Sequence, residues 1–216
     1  CIWYTEEYQR MFDLMTESVL KDKTLKEKFK NIKKIYFSRR KFGKAVATEF
    51  GEEYIEQCFN QNGYESLGPE TLTLREQIYV WNHAEAIACM NGTIPLNVVF
   101  CKNEKLKLTI LNKMSIYHKN PYIYLYMRNI QAEFIDIYKE PLKGYPKSLG
   151  EGPYLIKTGK EFFHYCQREK FEIPYTGMKL KFYDLKQEIR YYLCVIGIGN
   201  KIRRVGSYIK RKMLRR

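Results

Sequence analysis

Short β-rich runs alternate with helical segments along most of this chain. At this spacing the pattern calls for a parallel sheet covered by helices on both faces. Residues 5–29 read as one helix with Phe12, Met15, Val19 and Leu20 on its apolar stripe. Lys34–Ser38 is β-rich, and a basic loop, Arg39–Lys44, follows. Glu49–Asn60 reads as a helix closed by Asn62 and Gly63, and Tyr64–Leu67 as a short strand. Thr73 and Glu76 have capping-box spacing, opening a helix to about His83. Ala86–Cys89, Leu106–Leu111 and Phe134–Tyr138 are further strand candidates, and Pro95–Phe100 a short element. Thr158 and Glu161 form a second capping-box pattern ahead of a helix to about Arg168. There is no internal repeat. The predicted class is α/β with a Rossmann-like, mainly parallel sheet.

Composition supports a packed core: 45% of the 216 residues are hydrophobic and 29% charged, which argues against wholesale disorder. The formal net charge is +14, unevenly spread. Residues 201–216 hold eight Lys or Arg and no acid, so the bulk is only mildly basic. The expected division is therefore a globular unit over 1–190 and a basic, helical tail over 191–216. The six cysteines, Cys1, Cys58, Cys89, Cys101, Cys166 and Cys194, form no C-x-x-C pair. With three scattered histidines they offer no metal-ligand spacing, and they read as free thiols of a reducing compartment. The longest apolar run, Tyr191–Gly199, is far short of the ~20 residues of a membrane helix. A start at Cys1 with no preceding Met is read as the start of a fragment.

In a parallel sheet, ligands bind outside the carboxyl ends of the strands. Three strand exits are therefore candidates: Ser38–Lys44, Gly68–Thr73 and Met90–Asn97. The first offers Ser38, Arg39 and Lys44 among four cations, where phosphate could meet guanidinium forks and free backbone N–H groups. The same pattern equally suits a solvated basic loop. In the second candidate turn, Gly92 permits close approach of a ligand, and Asn91, Thr93 and Asn97 supply neutral donors and acceptors. A plain strand-to-helix turn with an asparagine cap also accounts for it. Glu49, Glu52, Glu53 and Glu56 lie at helical spacing and read as a solvated face, although one could hold ribose hydroxyls. Trp81, His83 and His164 read as packing residues. The two loops are expected to face one cleft, with Arg39 directed into it and Arg40 pointing the other way.

The tail has a regular pattern of its own. Tyr191, Val195, Ile198, Ile202, Val205, Ile209 and Met213 recur at three and four residues, with Lys210 and Arg211 among the cations elsewhere on the wheel. That profile fits a helix lying on an anionic membrane surface, with Ile202, Val205 and Ile209 facing it. The corresponding location is cytoplasmic, peripheral at the inner face of the membrane.

Taken in order and spacing, Lys34–Lys44, Glu49, Gly63 to Glu65, Pro69 and Glu70, Glu76 to Ile78, and Cys89–Asn97 resemble glycosyltransferase family 61, whose bacterial members include capsular polysaccharide biosynthesis proteins. The likeness is close over about 30–105 and looser through 105–113, 134–138 and 152–163. It implies a GT-B fold of two Rossmann-like domains, this chain being the carboxyl-terminal, donor-binding half with the amino-terminal half preceding Cys1. It also implies a nucleotide-sugar donor, a UDP-sugar, held by Ser38, Arg39, Lys44, Gln77, Asn91, Gly92, Thr93 and Asn97. Arg39 would sit at the phosphates. Beyond the donor no cofactor and no metal is implied, and the acceptor would be a glycan or lipid-linked glycan. Many relatives carry a histidine where this chain has Asn91, and an asparagine where it has Thr48. A histidine base is thus missing from that loop: either the base lies in the preceding half or this copy is impaired.

The reading that follows is an inverting, metal-independent sugar transferase acting on a growing surface glycan, with no nucleic-acid partner. Its rival is a non-catalytic basic module for nucleic acid or anionic membrane. The rival would lack a pocket joining Arg39 to Asn91 and would bind nucleic acid with a steep salt dependence.

Overall fold

The computed structural model describes residues 4–116, 119–139, 146, 148 and 150–197. Its elements in chain order begin with α1 (Glu6–Leu20), α2 (Lys23–Phe29), β1 (Lys34–Phe37), α3 (Gly43–Thr48), β2 (Glu49–Phe50) and α4 (Glu52–Gln61). They continue with β3 (Glu65–Leu67), α5 (Leu74–His83), β4 (Ala86–Met90), β5 (Lys107–Asn112), α6 (Asn120–Met127) and β6 (Ala132–Asp136). The last are β7 (Tyr138–Lys139), β8 (Tyr154–Ile156), α7 (Lys160–Arg168) and α8 (Gly177–Val195). Short 3-10 turns cover Pro69–Thr71 and Ile94–Phe100.

Five strands form an all-parallel sheet in the order β3-β1-β4-β5-β6. The chain lays down β1, adds β3 on one side, then crosses to place β4, β5 and β6 on the other. The direction of winding therefore reverses between β1 and β4, the position where doubly wound sheets open a crevice. Side chains alternate across this sheet as strand geometry requires. Ile35, Phe37, Ile87, Cys89, Leu108 and Ile110 join the core beneath α1, α2, α5 and α6. Tyr36, Ala86, Ala88, Met90 and Leu111 face the opposite core, filled by α4 and α7. Both faces are covered, as the sequence predicts of a Rossmann-like parallel sheet.

Several boundaries differ from the sequence reading, each for a local reason. The helix expected over 5–29 is two helices, because Asp22 Oδ1 accepts from Thr24 N at 2.9 Å and Leu25 N at 3.4 Å and starts α2 afresh. Glu49 and Phe50 are not helical. They pair with Tyr154 and Leu155 in a small sheet ordered β2-β8-β7, and α4 begins only after Gly51. The capping box at Thr73 forms, but the one at Thr158 does not. Gly159 caps α7, Thr158 Oγ1 is buried without a partner, and Glu161 accepts from the Asp136 amide at 3.1 Å instead.

Helix α8 runs through the expected boundary at 190. Tyr191, placed on the membrane-facing stripe by its spacing, is fully buried against Phe50 and Leu155, with Val195 packed beside it. The helix ends at Val195 and Gly197 turns the chain with φ +72°, so the stripe does not continue as one helix from Tyr191. The tail residues Ile202, Val205, Ile209, Lys210 and Arg211 lie outside the described residues. Among the described residues no helix is long and apolar enough to cross a membrane.

Gly51 lies where β2 passes closest to β8 of the small sheet. It has φ +110°, and a Cβ there would lie 2.1 Å from the Ile156 carbonyl oxygen. Its own carbonyl accepts from Tyr183 Oη at 3.0 Å. Gly51→Ala therefore combines backbone strain with a clash against backbone, and should cost about 3 kcal/mol in urea denaturation. Gly92→Ala, where an added Cβ meets nothing within 4 Å, should stay within about 0.5 kcal/mol of wild type.

Candidate functional site

The exits of four parallel strands meet at the reversal point. Arg39 follows β1, Pro69 and Glu70 follow β3, Gly92 and Thr93 follow β4, and Lys113 follows β5. With Phe42, Lys44, Thr48, Glu49 and Tyr154 they line a cleft of about 420 Å³. That is within the usual range for a small-molecule site. The basic loop and the Met90–Asn97 turn thus open on one space.

The cleft is organised by a buried carboxylate. Glu49, on β2, has a side chain only 2% exposed. Arg39 Nε donates to its two oxygens at 3.2 and 3.1 Å, and Arg39 Nη2 lies 3.0 Å from Oε1. Lys113 Nζ donates to the same Oε1 at 2.7 Å. The Lys113 ammonium also sits 4.2 Å from the Tyr154 ring centroid, and the Arg39 guanidinium 5.4 Å from that of Phe42. Burial holds Lys113 below the ordinary lysine value despite its carboxylate partner. Burial pushes the Tyr154 phenol up to about 12.

A second buried acid stands behind the loop. Glu52 Oε1 accepts from the Arg39 amide at 2.9 Å and from Tyr36 Oη at 3.2 Å. These bonds favour the ionised form, but burial outweighs them, and the nearby Glu49 and Glu56 carboxylates add to it. The acid is raised to about 7. Arg40 turns away from the cleft to Glu56, at 2.9 Å, and Glu53, at 3.5 Å. The reading of Glu49, Glu52 and Glu56 as a solvated face is therefore corrected. They are buried, because a basic loop lies across them.

The residues singled out from sequence fall into two groups. Arg39, Lys44, Gly92 and Thr93 line the cleft. Ser38, Asn91, Gln77 and Asn97 do not. Ser38 is buried, and its hydroxyl accepts from the Arg40 amide at 3.3 Å, which shapes the loop. Asn91 is buried and donates to Asn112 Oδ1 at 2.8 Å, while Asn112 donates to Asp136 Oδ1 at 2.8 Å, across three strand ends. Gln77 Nε2 donates to the Pro69 and Leu72 carbonyls at 3.1 and 3.2 Å, and Asn97 donates to Gln77 Oε1 at 2.7 Å. This pair braces the Pro69–Leu72 wall from behind. Gly92 faces open space, so no close backbone contact within the protein demands a glycine there.

Lys113 and Tyr154 line the cleft without having been singled out from sequence, and Glu49, one of the acids considered for ribose hydroxyls, lines it as the partner of two cations. Lys113 was within reach, since it leaves the strand expected at Leu106–Leu111 and the strand-exit rule applies to it as well. Tyr154 falls in the looser likeness over 152–163 but carried no site signal of its own, because β8 reaches the cleft through its pairing with β2.

Elsewhere, Trp81 is fully buried and stacks on Phe37, and His83 stacks on Tyr79, both packing roles. His164 is exposed on α7. Cys58, Cys89, Cys101 and Cys166 are buried free thiols, and Cys194 Sγ lies 3.6 Å from the Ala47 carbonyl oxygen. Among the described residues no group of three or more His, Cys, Asp or Glu is placed to hold a metal ion.

The sequence model of the family described as Glycosyltransferase 61 matches residues 3–111. It begins well upstream of residue 30 and ends before Lys113, so the looser likeness over 134–138 and 152–163 lies beyond it. No curated protein matches the chain.

Glu52 makes stability pH-dependent with a definite sign. The folded chain holds its proton up to about 7, against 4.5 for an ordinary glutamate. Between these values the native state binds more protons than the unfolded state, so stability falls as pH rises. Glu52→Gln keeps an acceptor for Arg39 N and Tyr36 Oη and removes the titration. Relative to wild type it should gain up to about 3 kcal/mol between pH 4.5 and 8 in urea titrations. A constant difference across that range would show that Glu52 titrates normally.

Proposed function

This chain belongs to glycosyltransferase family 61, and from that premise we propose that the cleft at the β1/β4 reversal binds the diphosphate of a nucleotide-sugar donor. The chain is a glycosyltransferase. The observation that carries the proposal is the convergence of Arg39, Lys44 and Lys113 with Gly92 and Thr93 on one cleft at the carboxyl edge of the sheet. Cations held in place before the ligand arrives stabilise a leaving diphosphate without reorganising during the reaction. Arg39 presents a planar fork suited to two phosphate oxygens, and Lys113 a point charge beside it on the same Glu49 oxygen. Glu49 fixes both and neutralises part of their charge. Lys44, exposed on α3, is the cation with most freedom to follow the ligand.

In this reading the donor is a UDP-sugar, the transfer is inverting, and cationic side chains serve the leaving group in place of a metal. A second Rossmann-like domain would complete a GT-B arrangement and present a surface glycan, capsular or lipid-linked, to the donor. Of the two carboxylates that line the cleft among the described residues, Glu49 is engaged by two cations. Glu70, exposed on the wall after β3, is the one in a position to take an acceptor proton.

Calorimetric titration of UDP tests the site. Arg39→Ala and Lys113→Met should each weaken binding ten- to a hundredfold, about 1.5–3 kcal/mol. Arg39→Lys should recover part of the loss, and Arg40→Ala should stay within about twofold because its side chain faces Glu53 and Glu56. Circular dichroism checks folding, since either main variant leaves Glu49 with one cation fewer. Equal binding by all variants, or salt-steep binding to an oligonucleotide with no response to UDP, overturns the proposal.

A further inference from the structure

Helix α8 has two unlike faces. The inner face packs inward: Tyr183 and Leu180 lie against the α4 and α7 core, and Tyr191 against Phe50 of β2 and Leu155 of β8. The outer face carries Met178, Phe182, Leu185, Ile189, Tyr192 and Ile196, which are 65, 66, 52, 52, 38 and 61% exposed. Their spacing alternates strictly between four and three residues, so they form one continuous ridge, about 27 Å long at 1.5 Å per residue. A ridge of six large apolar side chains in a row is not scattered surface apolarity and calls for a covering surface.

The charges along the ridge indicate what covers it. Lys179, Lys181 and Lys186 are exposed and flank the ridge directly, with Arg190 further round the helix. On the Lys181 side the acid next to the ridge, Glu188, is engaged by Lys139 at 2.9 Å and Lys157 at 2.8 Å, and Asp184 lies further round the helix, half-buried. A second copy docked along the same seam would meet like charges. In parallel register the flanking Lys181 falls opposite Lys186, and in antiparallel register Lys179 falls opposite Lys186. An anionic surface meets the same flanks favourably. Cations beside an apolar ridge reach the headgroups while the ridge enters the acyl boundary. Beyond α8 the sequence continues into 201–216, with eight further cations and no acid.

We infer that the outer ridge of α8 seats the protein on an anionic lipid bilayer surface, with Phe182, Leu185 and Ile189 entering the acyl boundary and the flanking lysines at the headgroups. This surface is made of residues other than those proposed at 202, 205 and 209. Since α8 packs on β2 and β8, which carry Glu49 and Tyr154, the seat is joined to the cleft by a single layer of structure. The inference does not depend on the donor reading.

The test uses the full chain in flotation with vesicles of phosphatidylcholine alone or with one third phosphatidylglycerol. Wild type should float with the anionic vesicles only. The double variant Phe182→Ser/Ile189→Ser should reduce the bound fraction at least tenfold, and Leu14→Ser, an exposed apolar residue of α1, should not. As an independent readout, Phe182→Trp should gain fluorescence that brominated lipid quenches, over the wild-type background. UDP titration should be unchanged in every variant, which separates this surface from the cleft. Flotation of the double variant like wild type, equal loss in Leu14→Ser, or an unquenched Phe182→Trp overturns the inference. So does a wild-type dimer by light scattering that the double variant breaks, since the ridge would then be a self-association seam.

Discussion

The ion pairs of Glu49 bring together three parts of the molecule that are distant in sequence. The carboxylate comes from β2 in the small sheet, Arg39 from the exit of β1, and Lys113 from the exit of β5 in the large sheet. Burying a single charge costs several kcal/mol, and two neighbouring cations repel. One carboxylate between them makes the arrangement tolerable, provided that β2 is held in place. Its pairing with β8 does this, and that pairing needs Gly51, because any Cβ there would strike the Ile156 carbonyl. A backbone constraint in the small sheet therefore sets the electrostatics of the cleft in the large one.

The same arrangement bears on the chemistry proposed. Cations left free in a cleft would collapse on the nearest acid or stay fully hydrated, and either outcome would need reorganisation when a diphosphate arrives. Here Phe42 and Tyr154 cover one side of each cation, and Glu49 fixes the other. What remains open is the side toward the cleft. A ligand bearing two negative charges competes with one carboxylate already in place, which favours a diphosphate over a singly charged anion. Behind the loop, Glu52 caps the Arg39 amide from a site where burial opposes its ionisation. The backbone at Arg39 is thereby fixed independently of its side chain.

Much of this was legible one element at a time. The alternation of strands and helices gave the parallel sheet, and the strand-exit rule selected the loops after β1 and β4. The Thr73 box formed as its spacing requires. The failures were of two kinds. Thr158 has the residue spacing of a cap, but its partner Glu161 is drawn off by the Asp136 amide across the chain. The row of acids from Glu49 to Glu56 has the period of a solvated helix face, yet the Arg39–Arg40 loop folds over it and buries three of the four.

What the sequence by itself determined were the quantities that are local in the chain: which runs extend, where helices start, and which loops carry cations. These follow from side-chain volume, backbone preference and spacing over a few residues. Tertiary structure alone decided that β2 leaves the helix to pair with β8, that Gln77 and Asn97 brace the cleft wall instead of lining it, and that Tyr191 is core while Phe182 and Ile189 are exposed. Each of these depends on what lies opposite in space. Charge burial and packing are set by neighbours distant in sequence, and periodicity along the chain carries no record of which neighbour arrives.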